Sequence, residues 1–243
     1  MLRRIIFTFQ SLPLLFSLRI LIIHIIKNIF GLYINFSYSQ TGEDLILRNL
    51  IKNASNLFYI DVGCNDPIKR SNTFWMYLNG GKGICIDANN ELINKFKKFR
   101  KRDISICAAV SNIEKEVPFY LSNKSEISTI DKNTILNWNL SEKEVKEVMM
   151  KTVTLNSILE KYLKRGCHID VLSIDVEGHD FAVLKSIDLS VYRPAVIIME
   201  LHDFQLDQLN IGSDETVKFL AENNYQLKYY ATMNAYFVDC KIN

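Results

Sequence analysis

Two short apolar segments that end in aspartate constrain the fold of this chain most strongly. Asn56 to Val62 and Gly83 to Asp87 are predicted to be buried strands, and a helical pattern follows each of them. Further strands are predicted at Ile104 to Val110, Ile169 to Asp175 and Ala195 to Leu201, with a hairpin at Tyr225 to Val238. Continuous apolar strands that alternate with helices are typical of a parallel sheet covered on both faces. The sequence therefore predicts an α/β protein.

The segment between residues 111 and 153 gives a weaker pattern. A strand is predicted at Val117 to Leu121, and a charged, exposed helix at Leu140 to Met150, where Glu and Lys recur at pairing distance. Loops carry recognition functions on a rigid scaffold, so this segment and His202 to Asp214 are candidates for recognising the substrate.

Composition limits the classes of partner. The chain has 243 residues and a net charge of +2, whereas proteins that bind nucleic acids carry a concentrated basic surplus. The basic run at Asn94 to Arg102 is predicted to be the solvated face of a helix, so no nucleic-acid partner is expected. The five cysteines are odd in number and form no C-x-x-C pair, which favours a reduced, cytoplasmic protein without a zinc site.

The first 36 residues differ from the rest of the chain. They contain four Lys or Arg residues and no acidic residue, and Leu18 to Ile29 carries apolar residues at helical spacing. A basic amphipathic helix suits an anionic membrane surface. Packing on the protein's own domain and a true membrane anchor are the alternatives. Residues 37–243 are predicted to form one domain.

The ends of the first two strands indicate a ligand site. Ligands of open α/β sheets bind beyond the carboxyl ends of the strands, where Asp61 and Gly63 lie. A dinucleotide-binding turn would need two more glycines for a pyrophosphate, so the turn favours a ligand with a positive group and no phosphate. Asp87, after the second strand, is placed to bind ribose hydroxyls. The alternative is that both aspartates only form turns or caps.

Four motifs resemble the FkbM family of S-adenosylmethionine-dependent methyltransferases. They are Ser39-Gln-Thr-Gly-Glu-Asp44, Tyr59-Ile-Asp-Val-Gly-Cys-Asn65, Ile86-Asp87 and Ile174-Asp-Val-Glu-Gly-His-Asp180. The resemblance implies a class I methyltransferase fold, a Rossmann-like three-layer sandwich. Its seven-stranded sheet is mostly parallel with a reversed last strand. The implied activity is O-methyl transfer from S-adenosylmethionine to a hydroxyl of a sugar, glycan or polyketide.

The resemblance also implies a cofactor site. Asp61, Gly63 and Asn65 would line the methionine end, Asp87 would hold the ribose, and Ala108 and Ala109 would lie near the adenine. The neighbouring motif residues Gln40, Ala88 and Asp175 complete the predicted cofactor residues. Many relatives carry Glu at the position of Asp87, which keeps the charge but has a longer reach.

The candidate catalytic residues follow the fourth and fifth strands. They are Asp175, Glu177, His179 and His202, with His202 favoured as a general base because its strand faces the expected acceptor pocket. Either histidine alternatively only caps or bonds nearby backbone. Asp175, Glu177 and Glu200 are an alternative set of ligands for a divalent cation, which is not favoured.

Two other functions remain open at this stage. A nicotinamide-dependent oxidoreductase would use a similar sheet, and a non-catalytic binding protein would keep the fold without the reaction. The acceptor and the oligomeric state are not predicted. The protein is expected in the cytoplasm, or peripherally at the membrane if its first segment makes that contact.

Overall fold

The fold is that of a computed structural model, which describes residues 9, 12–30, 36–51, 55–122, 129–130, 135, 144–201 and 214–241. The helices, numbered in chain order, are α1 (Leu14–Ile29), α2 (Glu43–Leu50), α3 (Phe74–Leu78), α4 (Asn90–Phe99), α5 (Leu155–Tyr162), α6 (Asp180–Leu184) and α7 (Glu215–Glu222). The strands are β1 (Phe58–Val62), β2 (Lys82–Asp87), β3 (Ile104–Cys107), β4 (Ala109–Val110), β5 (Glu116–Ser122), β6 (Val145–Val153), β7 (Ile169–Ile174), β8 (Pro194–Glu200), β9 (Tyr225–Ala231) and β10 (Asn234–Asp239).

Seven of the strands form one sheet in the order β3-β2-β1-β7-β8-β10-β9. β3, β2, β1, β7 and β8 pair in parallel, whereas β10 runs antiparallel to both of its neighbours. The predicted seven-stranded, mostly parallel sheet with a reversed last strand is therefore confirmed. Because the parallel strands run the same way, β1, β2, β7 and β8 all end at one edge of the sheet.

Helices cover both faces of this sheet, which gives the predicted three layers. On one face, Ile60 and Val62 of β1 pack in a core with α5, α6 and α7. On the other face, Tyr59 packs with α1, α2, α3 and α4. Successive side chains of a strand point to opposite faces, so Asp61 shares the face of Tyr59. That face places the carboxyl of Asp61 beside Thr73, the residue that precedes α3.

A second sheet contains β4, β6 and β5, with β5 and β6 antiparallel. The prediction of a helix at Leu140 to Met150 is wrong for residues 145–150, which belong to β6, and residues 140–143 lie outside the described part. The spacing of Glu and Lys suggested a helix, but Val148, Met150 and Thr152 alternate with more exposed residues as in a strand. Thr152 is buried and its hydroxyl donates to the carbonyl of Ile113 at 2.6 Å, which fixes the end of the strand.

Helix α1 packs on the domain through its first half. Ile20 is buried in the same core as Leu47, and the rings of Phe16 and Phe74 meet edge to face with centroids 6.3 Å apart. The buried hydroxyl of Ser17 donates to the carbonyl of Leu12. Among the described residues, no helix combines the length and apolarity needed to cross a bilayer.

A buried arginine neutralises the acidic end of β1. Arg100 has no exposed surface, and its Nε donates to Asp103 at 2.7 Å. Its Nη2 donates to Thr73 Oγ1 at 3.0 Å, and that hydroxyl donates to Asp61. The guanidinium also lies over the ring of Tyr59, whose hydroxyl donates to Asp103. One cation therefore links two buried carboxylates across three elements of the fold.

Removing this cation should destabilise the protein strongly. Arg100→Met leaves Asp61 and Asp103 buried without a positive partner, so we expect the free energy of unfolding to fall by about 3–5 kcal/mol. Lys97→Met, on the exposed face of α4 just before Arg100, is the matched control. It should change the free energy of unfolding by less than about 0.5 kcal/mol. Urea denaturation measures both variants. Equal effects of the two substitutions would contradict the account.

Candidate active site

A cleft opens at the edge of the sheet where the parallel strands end. All of the predicted cofactor residues line it: Gln40, Asp61, Gly63, Asn65, Asp87, Ala88, Ala108, Ala109 and Asp175. The catalytic candidates Glu177 and His179 line it too. His202 lies outside the described residues. The structure thus brings the predicted residues together, while their individual roles stay predictions.

The turn after β1 is fixed by its neighbours in the sheet. The amides of Gly63 and Cys64 both donate to the carbonyl of Ile86, at 2.9 and 3.1 Å. Gly63 has a φ of 79°, and a Cβ at this position would lie 1.7 Å from the carbonyl oxygen of Asp175. The glycine is therefore required by backbone packing between the ends of β1 and β7.

Asp61 lies at the back of the cleft. It is 4% exposed, and its carboxylate accepts a hydrogen bond from Thr73 Oγ1. Burial raises the pKa of Asp61, while Arg100 and the Thr73 hydrogen bond act in the opposite direction. This side chain contributes negative charge to the cleft from a position held by the network of Arg100.

Asp87 joins the turns that follow β1 and β2. One carboxylate oxygen accepts from the amide of Asn65 at 3.0 Å, and the other accepts from the amide of Asn89 at 2.7 Å. Burial raises the pKa of Asp87 to about 6, although both backbone hydrogen bonds favour the ionised form. The carboxylate retains lone pairs that can accept hydrogen bonds from hydroxyl groups of a ligand. The side chain also caps this turn, so both roles considered from the sequence are compatible.

The loop between β7 and α6 is held in a tight conformation. The carboxylate of Asp180 accepts the amides of Val176 and Gly178, at 3.1 and 3.2 Å. Glu177, between them, has a left-handed φ of 54°. Such strain in a non-glycine residue is concentrated at functional sites. The loop presents Asp175 and Glu177 to the cleft.

Asp175 is exposed to solvent in the cleft, although many protein atoms lie around its carboxyl group. Burial raises the pKa of Asp175 well above its usual range, and the nearby carboxylates of Asp180, Glu200 and Glu177 raise it further. A cation bound in the cleft would relieve this repulsion among like charges. Among the described residues, no group of three His, Cys, Asp or Glu side chains is arranged to hold a metal ion.

His179 connects this loop to the second sheet. Its Nε2 lies 2.9 Å from Ser111 Oγ, which follows β4. A second link joins the hydroxyl of Thr129 to the carbonyl of Glu177 at 2.8 Å. One ring nitrogen of His179 is thus engaged in positioning the loop, which favours the structural role considered for it.

Several residues of the cleft were not found from the sequence. They are polar residues on the β1 to α3 loop and on β7, and apolar residues on or next to the second sheet: Arg70, Ser71, Asn72, Ser173, Phe119 and Ile130. Topology gives a partial signal, because a loop that follows a parallel strand lies at the ligand edge. Arg70 has a φ of 55°, and it is the one lining residue in the described part with a permanent positive charge.

Comparison with known proteins identifies the family. The sequence model of the methyltransferase FkbM domain matches residues 61–227. A search of curated protein sequences finds no match. Among solved structures, methyltransferase FkbM from Methylobacillus flagellatus superposes with a TM-score of 0.50 at 11% identity. The match covers 82% of this chain and 48% of that one, so the chain spans about half the length of this relative.

Precorrin-6y C5,15-methyltransferase from Geobacter metallireducens is a further structural match, with a TM-score of 0.38 and 12% identity, over 80% of this chain and 85% of that one. The likeness to the FkbM structure confirms the class I fold. The family model covers more than half of the sequence and includes the strand ends, the loop after β7 and most of the cleft. This chain therefore belongs to the FkbM methyltransferase family.

Proposed function

We propose that this protein transfers the methyl group of S-adenosylmethionine to a hydroxyl oxygen of a sugar or glycan, including a lipid-linked one. The observation that carries the proposal is the cleft in which the acidic ends of β1 and β2 meet, beside a turn that has no phosphate-binding amides. Family membership supports the cofactor, and the cleft residues supply the groups that the cofactor needs.

The charges of the cleft suit this cofactor. S-adenosylmethionine carries two positive groups, the ammonium and the sulfonium, and one carboxylate. Asp61 would provide negative charge at the end of β1, and Asp175 would ionise at the end of β7 when a positive group binds beside it. Arg70 provides a positive charge on the loop before α3. Asp87 would accept the ribose hydroxyls, and the small Ala108 and Ala109 leave room for a flat base. The residues present therefore fit the group.

The same turn argues against a nicotinamide cofactor. A dinucleotide site holds a pyrophosphate with free amides at the start of a helix. Here the amides of Gly63 and Cys64 are both occupied by the carbonyl of Ile86, and the next helix begins only at Phe74. A dinucleotide would also bring its phosphates next to buried carboxylates. The oxidoreductase alternative is therefore disfavoured.

Positioning would provide most of the catalysis. When bound, the cofactor supplies a methyl group that is already activated by the sulfonium. The protein has to align the acceptor oxygen, which can contribute about 7–11 kcal/mol, whereas a general base adds about 10²–10⁴-fold. His202 remains the proposed base. His179 is the weaker candidate because its Nε2 already bonds to Ser111.

The role of Arg70 gives a binding prediction. S-adenosylhomocysteine has the carboxylate that Arg70 would bind, and 5′-methylthioadenosine lacks it. A hydrogen bond to a charged group contributes about 1.5–3 kcal/mol, so Arg70→Ala should weaken binding of S-adenosylhomocysteine by about 10–100-fold. Binding of 5′-methylthioadenosine should not change. Isothermal titration calorimetry measures both affinities.

Lys69→Ala is the matched control, because Lys69 is an exposed neighbour that does not line the cleft. It should leave both affinities unchanged. If Arg70→Ala weakened the two ligands equally, Arg70 would only shape the loop and the assignment to the carboxylate would fail.

Transfer of a labelled methyl group tests the reaction. The protein would be incubated with tritium-labelled S-adenosylmethionine and a panel of free sugars, glycans and glycolipids. We expect a product whose label survives mild alkali, because a methyl ether is stable there and a methyl ester is not. Asp87→Ala should abolish transfer through loss of cofactor binding. Cofactor binding without transfer to any member of a broad panel would instead support a non-catalytic binding protein.

A further inference from the structure

We propose that α1 docks this protein on the surface of an anionic lipid bilayer. The contact would be made by an apolar band on the helix, in which every side chain is at least 38% exposed. The band consists of Leu14, Leu15, Leu18, Ile22, Ile25, Ile26 and Ile29. It lies outside the cleft, so the proposal does not depend on methyl transfer.

The band lies on one side of the helix. At about 100° per residue, its members fall within an arc of about 120°. Phe16 and Ile20, which pack on the domain, lie on the opposite side. The helix has 16 residues and is therefore about 24 Å long. Because protein covers the opposite side of its first half, the geometry suits a helix that lies along a bilayer surface.

The concentration of these side chains is unusual for a protein surface. Single exposed apolar residues are normal, but monomers rarely expose contiguous apolar patches beyond a few hundred Å². Leu15 is 77% exposed and Ile29 is 71% exposed, at opposite ends of the band. The exposed Phe30 continues it past the end of the helix. A contiguous apolar band of this length calls for a partner with an apolar surface.

Charge and composition favour lipid over another protein. The basic residues before Glu43, which is the first acidic residue of the chain, are Arg3, Arg4, Arg19 and Lys27. Arg19 is exposed at the border of the band. Anionic headgroups attract such a segment, and its leucines and isoleucines enter the acyl region. Cores of protein interfaces are instead enriched in aromatic residues, Met and Arg, whereas the band itself contains only Leu and Ile.

The helix also lies near the cleft. Phe16 contacts the ring of Phe74, and the amide of Phe74 donates to Ser71 Oγ at 3.2 Å. Ser71 lines the cleft next to Arg70. A bilayer in contact with α1 would therefore lie on the same side of the domain as the part of the cleft that Arg70 lines.

Vesicle flotation of the full chain, without cofactor, tests the proposal. One set of vesicles contains phosphatidylcholine alone, and the other contains phosphatidylcholine with phosphatidylglycerol. Because each basic residue near the surface adds attraction, we expect binding to the anionic vesicles to be at least about tenfold stronger. Leu15→Glu/Ile22→Glu should reduce this binding at least about tenfold. Ile113→Glu/Met149→Glu, exposed on the β4 to β5 loop and on β6, is the matched control and should bind as the unchanged protein does.

Three results would overturn the proposal. One is the absence of flotation with either kind of vesicle. Another is equal flotation of both double variants, which would place the contact elsewhere. The third is a dimer that light scattering detects without lipid and that Leu15→Glu/Ile22→Glu dissociates, while the unchanged protein does not bind vesicles. A second copy of the chain would then cover the band. Thermal unfolding should show the same midpoint for both variants, so that loss of binding is not loss of the fold.

Discussion

One buried cation, Arg100, offsets the cost of burying the acidic side chains Asp61 and Asp103 in the core of this fold. A strand that ends in Asp61 brings a carboxylate into the helix-covered face of the sheet, where an unpaired charge is very costly. Arg100 reaches Asp61 through the hydroxyl of Thr73 and binds Asp103 directly. Because of this network, β1 can be buried along its length and still carry an acidic side chain, Asp61, that lines the cleft.

The rest of the site follows from parallel strands that end together. Their turns are fixed mainly by backbone contacts, such as the close approach of Gly63 to the carbonyl of Asp175 and the amides held by Asp87. Negative charge thus accumulates in a cleft with one arginine at its rim, Arg70. Such a cleft complements a ligand with positive groups and one carboxylate far better than it complements a phosphate. Apolar residues of the second sheet, including Phe119, close the other side.

The sequence predicted the main sheet and the composition of the cleft because both depend on local patterns and on one topological rule. An apolar run such as Phe58 to Val62 clearly predicts a buried strand. In an open α/β sheet the carboxyl ends of the parallel strands meet at the edge where ligands bind. The role of Arg100 was not predicted, because in the sequence it is one member of a basic run and only tertiary contacts distinguish it from Lys97 or Lys98. Strand β6 was missed because charged pairs imitate a helix, whereas pairing with β5 decides the structure. Arg70 itself adopts a left-handed backbone conformation, which the sequence pattern does not predict.

We propose that the cleft binds S-adenosylmethionine through an ionised Asp87. Burial raises the pKa of this carboxyl to about 6, so the fraction that is ionised, and with it the affinity for ligand, should increase as the pH rises through 6. The most direct measurement is the affinity of S-adenosylhomocysteine between pH 5 and pH 7, for the unchanged protein and for Asp87→Asn. We expect binding of the unchanged protein to be about tenfold weaker at pH 5 than at pH 7, and binding of the variant to be weak at both. No binding, or a pH-independent affinity in the unchanged protein, would contradict this proposal.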